Sequence, residues 1–138
     1  MDTGDNKHPG NGRRPKTTGV LIADDQPEVR SALRLLLTQE PDLIVVGEAI
    51  DTAQVLELAA GQQPDLVLLD WELPDQGGAA ALAGLRAIHP GLAVIALSGR
   101  PEAQPAALAA GVDAFVSKGK PPEYLMASVN KCRHRRRA

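Results

Sequence analysis

Cysteine is nearly missing from this chain, with Cys132 the only one among 138 residues. No disulfide can close within the chain, CxxC metal or redox chemistry is excluded, and a reducing cytosol is the natural compartment. Aromatics are almost as scarce, at one Trp, one Tyr and one Phe, so a core has to be built from Leu, Val, Ile and Ala. Charge of one sign does not dominate either. A formal net charge of -2 argues against a globally basic nucleic-acid binder and against an acidic solvating protein. Met1 to Thr18 lacks any apolar run, which excludes a signal peptide or membrane anchor there. Rich in Gly, Pro, Asn, Asp and Lys, this stretch is expected to be a disordered leader, having too little apolar surface to offset the entropy of ordering.

What is present is a pattern that repeats. Leu66-Val67-Leu68-Leu69 is wholly apolar and ends in Asp70 before the turn residues Leu73-Pro74. A strand buried on both faces has this composition, and in open parallel sheets ligands sit beyond the carboxyl ends of such strands. On this stretch alone, Asp70 is equally a turn or capping aspartate. Val20-Leu21-Ile22-Ala23 ends likewise in Asp24-Asp25, Leu92 to Leu97 ends in Ser98-Gly99, and Ala114 to Ser117 closes at Lys118. Leu43 to Ala49 is a further strand.

Helical spacing fills the intervals. Pro27 suits a first turn, and Val29, Ala32, Leu33, Leu36 and Leu37 recur at helical period until Pro41 ends the run. Asp51 is placed to cap a second helix with Gln54 three residues on, with Ala53, Leu56, Ala59 and Ala60 along one side and Gly61 as its stop. After the turn Pro74 to Gly78, Leu82, Leu85 and Ile88 are expected to face inward before His89-Pro90-Gly91 closes a third. Pro105 fits a fourth only if that helix begins near Gln104 and stops at Gly111, and Pro121-Pro122 opens a fifth. Strands and helices alternating about five times with short links predict an α/β fold, a parallel sheet covered on both faces. The expected organisation is the leader 1–18, one domain over 19–130 and a basic tail over 131–138. The tail is expected to be a solvated helix end whose cations suit the helix dipole, rather than a nucleic-acid or partner contact.

In such a sheet the residues that end the strands, Asp24, Asp25, Asp70, Ser98 and Lys118, converge on one edge. Carboxylates packed together repel unless a cation shares them, and hard oxygen ligands suit Mg²⁺. An acceptor oxygen, a metal, a lysine and a hydroxyl are what phosphoryl transfer to a carboxylate requires.

From about Gly19 to Val129 the chain resembles the receiver domain of two-component response regulators. The resemblance rests on Asp24-Asp25, Leu68-Leu69-Asp70 with Leu73-Pro74, Ser98 and Lys118, in the family's order and approximate spacing. It implies the flavodoxin-like (βα)5 doubly wound sheet with strand order 2-1-3-4-5. It further implies a cytoplasmic signalling switch and not a turnover enzyme. A sensor histidine kinase or phosphotransfer protein would phosphorylate Asp70 with Mg²⁺ or Mn²⁺, and an unidentified output protein or a homodimer would take the signal onward. By the same resemblance Asp24, Asp25, Asp70 and the Glu72 backbone carbonyl serve the metal, Asp24 through water. Ser98 is the switch hydroxyl and Phe115 the switch aromatic.

Val20 to Asp25 and Asp70-Trp71 look most like receivers that usually precede a helix-turn-helix output domain. After Val129 too few residues remain for one, so the chain is similar to a single-domain receiver or to a piece of a longer protein, and DNA binding is not expected of it. Three details depart from the family's usual pattern. Gly119 stands where many relatives have proline after the lysine, Gly99 where alanine is usual beside the switch hydroxyl, and Phe115 lacks a tyrosine's hydroxyl.

Glu72 and Arg100, two residues beyond Asp70 and Ser98, are expected to flank the site, either pairing across its mouth to slow attack by water or as two exposed charges of little weight. Other readings remain. A pseudo-receiver would be an interaction module without phosphorylation. An aspartyl-phosphate phosphatase would want an Asp at the position of Glu72, and a nucleotide-binding fold would want a Gly-rich loop where Asp24 to Glu28 stands.

Overall fold

The computed structural model describes residues 17–137, with side chains through Arg133. The expected leader therefore lies outside the described residues except for Thr17 and Thr18. The elements alternate in chain order as β1 (Thr18–Ala23), α1 (Pro27–Leu37), β2 (Leu43–Ala49), α2 (Thr52–Gln62), β3 (Leu66–Asp70), α3 (Gly77–Ile88), β4 (Ala93–Ser98), α4 (Gln104–Ala110), β5 (Ala114–Ser117) and α5 (Pro122–Arg137). A 3-10 turn, Pro101–Ala103, leads into α4. The strands form one parallel sheet in the order β2-β1-β3-β4-β5. This is the flavodoxin-like α/β fold, with the strand order expected from the sequence.

Each face of the sheet carries its own apolar layer, which is why the central strands are apolar throughout. Leu21, Val67, Leu69 and Val94 point toward α2, α3 and α4, meeting Val55, Ala81, Leu85 and Ala107. Val20, Ile22, Leu68 and Ile95 point the other way onto Leu33 and Leu37 of α1 and Leu125, Val129 and Cys132 of α5. Two clusters on opposite sides of one sheet make a doubly wound domain.

Local chemistry accounts for the ends of α2 and α4. Asp51 accepts a hydrogen bond from the Gln54 N–H at 2.9 Å, while the Gln54 side chain accepts from the N–H of Ile50 at 3.0 Å, one residue before the cap. α4 begins at Gln104 with Pro105 in its first turn and ends at Gly111, whose φ of 112° lies in the left-handed region that glycine enters at little cost.

Four expectations are corrected. Gly61 does not stop α2, which runs to Gln62 and closes on Gln63 at φ 50°. The same helix buries Thr52, Val55 and Ala59 while Ala53 and Ala60 are exposed, a rotated face. Ile88, the last residue of α3, is 43% exposed. The basic end is helical as far as Arg137, and Arg133 is not solvated. It lies against Asp42 at 2.9 Å and Glu40 at 3.9 Å, tying α5 to the segment before β2.

Gly78 in the first turn of α3 sits against Trp71, where an added Cβ would come within 2.5 Å of the indole and 2.7 Å of the Trp71 carbonyl oxygen. The backbone atom cannot swing aside. Gly78→Ala is expected to cost about 2 kcal/mol through overpacking and to alter emission of the lone tryptophan. Urea unfolding followed by that fluorescence checks both, and an unchanged midpoint refutes the clash.

Candidate functional site

Strand register builds the site. Ala23 pairs with Leu69, so Asp24, one residue on, stands beside Asp70. Asp70 is paired with Leu97, the residue before Ser98, and Ser98 is paired with Ser117, the residue before Lys118. Four neighbouring strands, β1, β3, β4 and β5, end within a residue or so of one another and deliver their polar termini to one edge. All five residues expected to converge there are placed at that edge.

The carboxylates lie close together. Asp24, Asp25 and Asp70 each offer an oxygen, all within 4.8 Å of one another. Asp24 is 0% and Asp70 2% exposed, whereas Asp25 is open to solvent. Lys118 bridges the buried pair, with Nζ 2.8 Å from Asp24 Oδ2 and 3.4 Å from Asp70 Oδ1. Beyond this ion pair, Asp24 Oδ2 is buried with no other partner among the described residues. Gly119 in place of proline does not keep Lys118 away, because the strand itself aims it. The Lys118 N–H donates to the Ser98 carbonyl at 2.8 Å.

Electrostatics follow from burial. Burial pushes the Asp70 pKa up and the neighbouring Asp24 charge adds to the rise, against the Glu72 N–H and the Lys118 ammonium. Burial works against the Lys118 ammonium, yet contacts with Asp24 and Asp70 outweigh it and raise its pKa. One cation between buried carboxylates leaves negative charge in excess.

Backbone contacts hold the acids in place. Asp24 Oδ1 accepts from the Gln26 N–H at 2.9 Å and the Asp24 N–H donates to Ala49 at 3.0 Å. Asp70 Oδ1 accepts from the Glu72 N–H at 3.0 Å, and Oδ2 carries none of these contacts. A residue missed in the sequence reading, Arg30, donates from Nη1 to the Asp24 carbonyl at 2.8 Å and from Nε to Glu48 at 3.1 Å. Arg34 adds a 2.6 Å bond to Glu48. That bond chiefly, with Arg30 assisting against burial, lowers the Glu48 pKa. The available signal was Arg30 and Arg34 one helical turn apart, facing an acid at the end of β2.

Of the two readings of Glu72 and Arg100, pairing across the mouth is not found, and both residues are exposed. Arg100 turns to Glu102, Nε to Oε2 at 3.3 Å, and Glu72 Oε2 instead accepts from the Ser98 hydroxyl at 2.7 Å. A neighbour two residues away in a surface turn reaches the guanidinium at smaller entropic cost than a partner across the site. Phe115 is half-buried on β5 against the α2–α3–α4 layer.

Comparison with known proteins agrees with this geometry. The response regulator receiver domain model matches residues 20–130. The nitrate/nitrite response regulator protein NarL of Escherichia coli (strain K12) is 34% identical over 114 residues, covering 81% of this chain and 53% of that protein. The solved signal receiver domain of the NarL response regulator from Mycobacterium tuberculosis superposes with a TM-score of 0.77 at 31% identity, covering 86% of this chain and 97% of that one. A LuxR-family DNA-binding response regulator from Staphylococcus aureus gives a TM-score of 0.75 at 30% identity, over 83% of this chain and 98% of that one. The chain spans about half the length of the NarL protein it matches. Among the described residues no helix is long and apolar enough to cross a membrane. With a matching family model over most of its length and the acids, hydroxyl and lysine gathered at one sheet edge, the chain belongs to the response regulator receiver domain family.

Proposed function

We propose that this receiver is a phosphorylation-dependent switch with Asp70 as acceptor, supplied by the phosphohistidine of a sensor kinase or phosphotransfer protein in the cytoplasm. The observation that carries the reading is the buried Asp24–Lys118–Asp70 arrangement with Asp25 beside it. The three acids suit a divalent cation. They are hard oxygen donors within reach of one ion, and one lysine leaves them short of positive charge. Asp24, Asp25, Asp70 and the Glu72 carbonyl would hold Mg²⁺ or Mn²⁺, which would draw charge from the carboxylates and from a transferring phosphoryl group.

The chain's own residues supply the rest. Glu72 N–H holds Asp70 Oδ1, leaving Oδ2 to attack phosphorus. The phosphorus–nitrogen bond of the donor breaks with its electron pair returning to the imidazole, and an acyl phosphate forms. Lys118 then has a phosphoryl oxygen to pair with, and Ser98 can donate a hydrogen bond if it turns toward Asp70. Movement of Ser98 draws the β4–α4 loop inward, and Phe115 can follow into the vacated space. Catalysis is confined to the protein's own phosphorylation and dephosphorylation. An output protein, a second copy or a DNA-binding partner domain would take the signal.

Incubation with Mg²⁺ and acetyl phosphate is expected to add one phosphate, seen by intact mass as an acid-stable, base-labile adduct, in wild type and not in Asp70→Asn. No adduct on wild type would favour a pseudo-receiver. Steady turnover of small phosphoesters would favour an aspartyl-phosphate phosphatase.

A further inference from the structure

The Ser98 hydroxyl has a single proton, and in this structure it goes to Glu72. Ser98 Oγ lies 2.7 Å from Glu72 Oε2, at the long end of the range of a charge-assisted O–H···O⁻ bond, and 3.3 Å from the Arg100 carbonyl, a weaker alternative. The same oxygen accepts the Arg100 N–H at 2.9 Å. Ser98 is 0% exposed, so water does not compete for the hydroxyl. Glu72 at the same time holds Asp70 through its backbone N–H. One residue therefore grips the carboxylate with its main chain and the hydroxyl with its side chain, and Arg100, committed to Glu102, does not draw that side chain away.

We propose that Glu72 is a positioning residue whose carboxylate latches Ser98 in the unphosphorylated rotamer, so that release of this one bond is a step in switching. The inference rests on the phospho-acceptor reading of Asp70. A hydroxyl with one proton cannot donate to Glu72 and to a phosphoryl oxygen at once, so the two acceptors compete. Population of the competent rotamer before phosphorylation is set by how well Glu72 holds, and the apparent rate of modification falls with that population. Because Arg100 N–H depends on where Ser98 Oγ points, exchange of the Arg100 amide reports the latch without phosphate.

Two readouts test it on the full chain. In unphosphorylated protein, Glu72→Ala is expected to raise hydrogen exchange at the Arg100 amide about tenfold, with Glu72→Gln, which keeps an acceptor oxygen, closer to wild type. Unchanged exchange in Glu72→Ala overturns the latch. With Mg²⁺ and acetyl phosphate, Glu72→Ala is expected to accelerate modification about fivefold to tenfold, and this gain should vanish in a Ser98→Ala background. A gain of equal size with and without Ser98 means that Glu72 acts only by charge repulsion, and it overturns the inference. Absence of any adduct on wild type overturns the phospho-acceptor reading instead, while the exchange result still decides the latch.

Discussion

Lys118→Ala is expected to lower the unfolding free energy by about 2 to 3 kcal/mol at neutral pH in the absence of divalent metal, somewhat less than for a wholly buried pair because the lysine side chain remains 23% exposed. The lysine is the cation between two acids that are almost fully covered, and its removal leaves their repulsion in low dielectric. The sign of the pH dependence follows. Lys118 has a raised pKa, so its contribution is complete below the ordinary lysine value and is lost only as pH rises through the still higher folded value. The deficit of the variant narrows at acid pH, where Asp70, whose pKa is raised by burial and by Asp24, takes up a proton and ceases to repel. Adding Asp70→Asn to Lys118→Ala should recover part of the loss, since the two sites share one interaction. Urea unfolding of the wild type, both single variants and the double variant measures this. Strict additivity would show that the ion pair is not what holds the edge together.

Arg86→Ala is expected to cost about 3 kcal/mol, far from the acidic edge. The guanidinium on α3 donates to the carbonyl of Leu92 before β4, to the carbonyl of Gly111 after α4 at 2.8 Å, and to Asp113 before β5 at 3.2 Å. Asp113 in turn accepts the Val94 N–H at 2.8 Å. One planar fork thus joins the starts of two strands to a helix, satisfying carbonyls that a truncated side chain would leave open. Arg86→Lys should recover less than half, because a single ammonium cannot serve carbonyls lying in different directions. Thermal unfolding of both variants checks the order, and full recovery by lysine would refute the bidentate account.

The sequence carried the strands plainly because they are buried on both faces, as in Leu66 to Leu69, and a parallel sheet leaves no polar alternation to confuse the pattern. Convergence of Asp24, Asp70, Ser98 and Lys118 followed from topology, since each ends a strand of the same sheet. Proline chemistry located the start of α4 at Gln104. The phase of α2 was not legible, because its apolar residues, Ala53, Val55, Leu56, Leu58, Ala59 and Ala60, are spread around most of the helix and leave little contrast between its faces. Arg30 and Arg86 escaped for another reason. Their acidic partners, Glu48 and Asp113, lie 18 and 27 residues away, and the spacing of Arg30 and Arg34 marks a charged helix face without naming what it meets. In the sequence Glu72 reads either as a partner of Arg100 or as an exposed charge, and its bond to Ser98 is not foreseen there, since hydroxyl and guanidinium compete at distances only coordinates resolve.

The short helix α4 has one further consequence. It enters through a 3-10 turn, carries a proline in its first turn and buries only Ala107, while Leu108 stands 44% exposed. Burial of one methyl group is worth about 0.8 kcal/mol, so this element sits at the low end of the domain's local stability. Ser98 already donates its proton to Glu72, so a switch exchanges one charge-assisted bond, worth about 1.5 to 3 kcal/mol, for another. Even the difference between two such bonds is comparable with the burial of one methyl group. The loop that leaves Ser98 thus adjoins the part of the fold that costs least to rearrange, and a local change of one hydrogen bond can propagate there without disturbing the sheet.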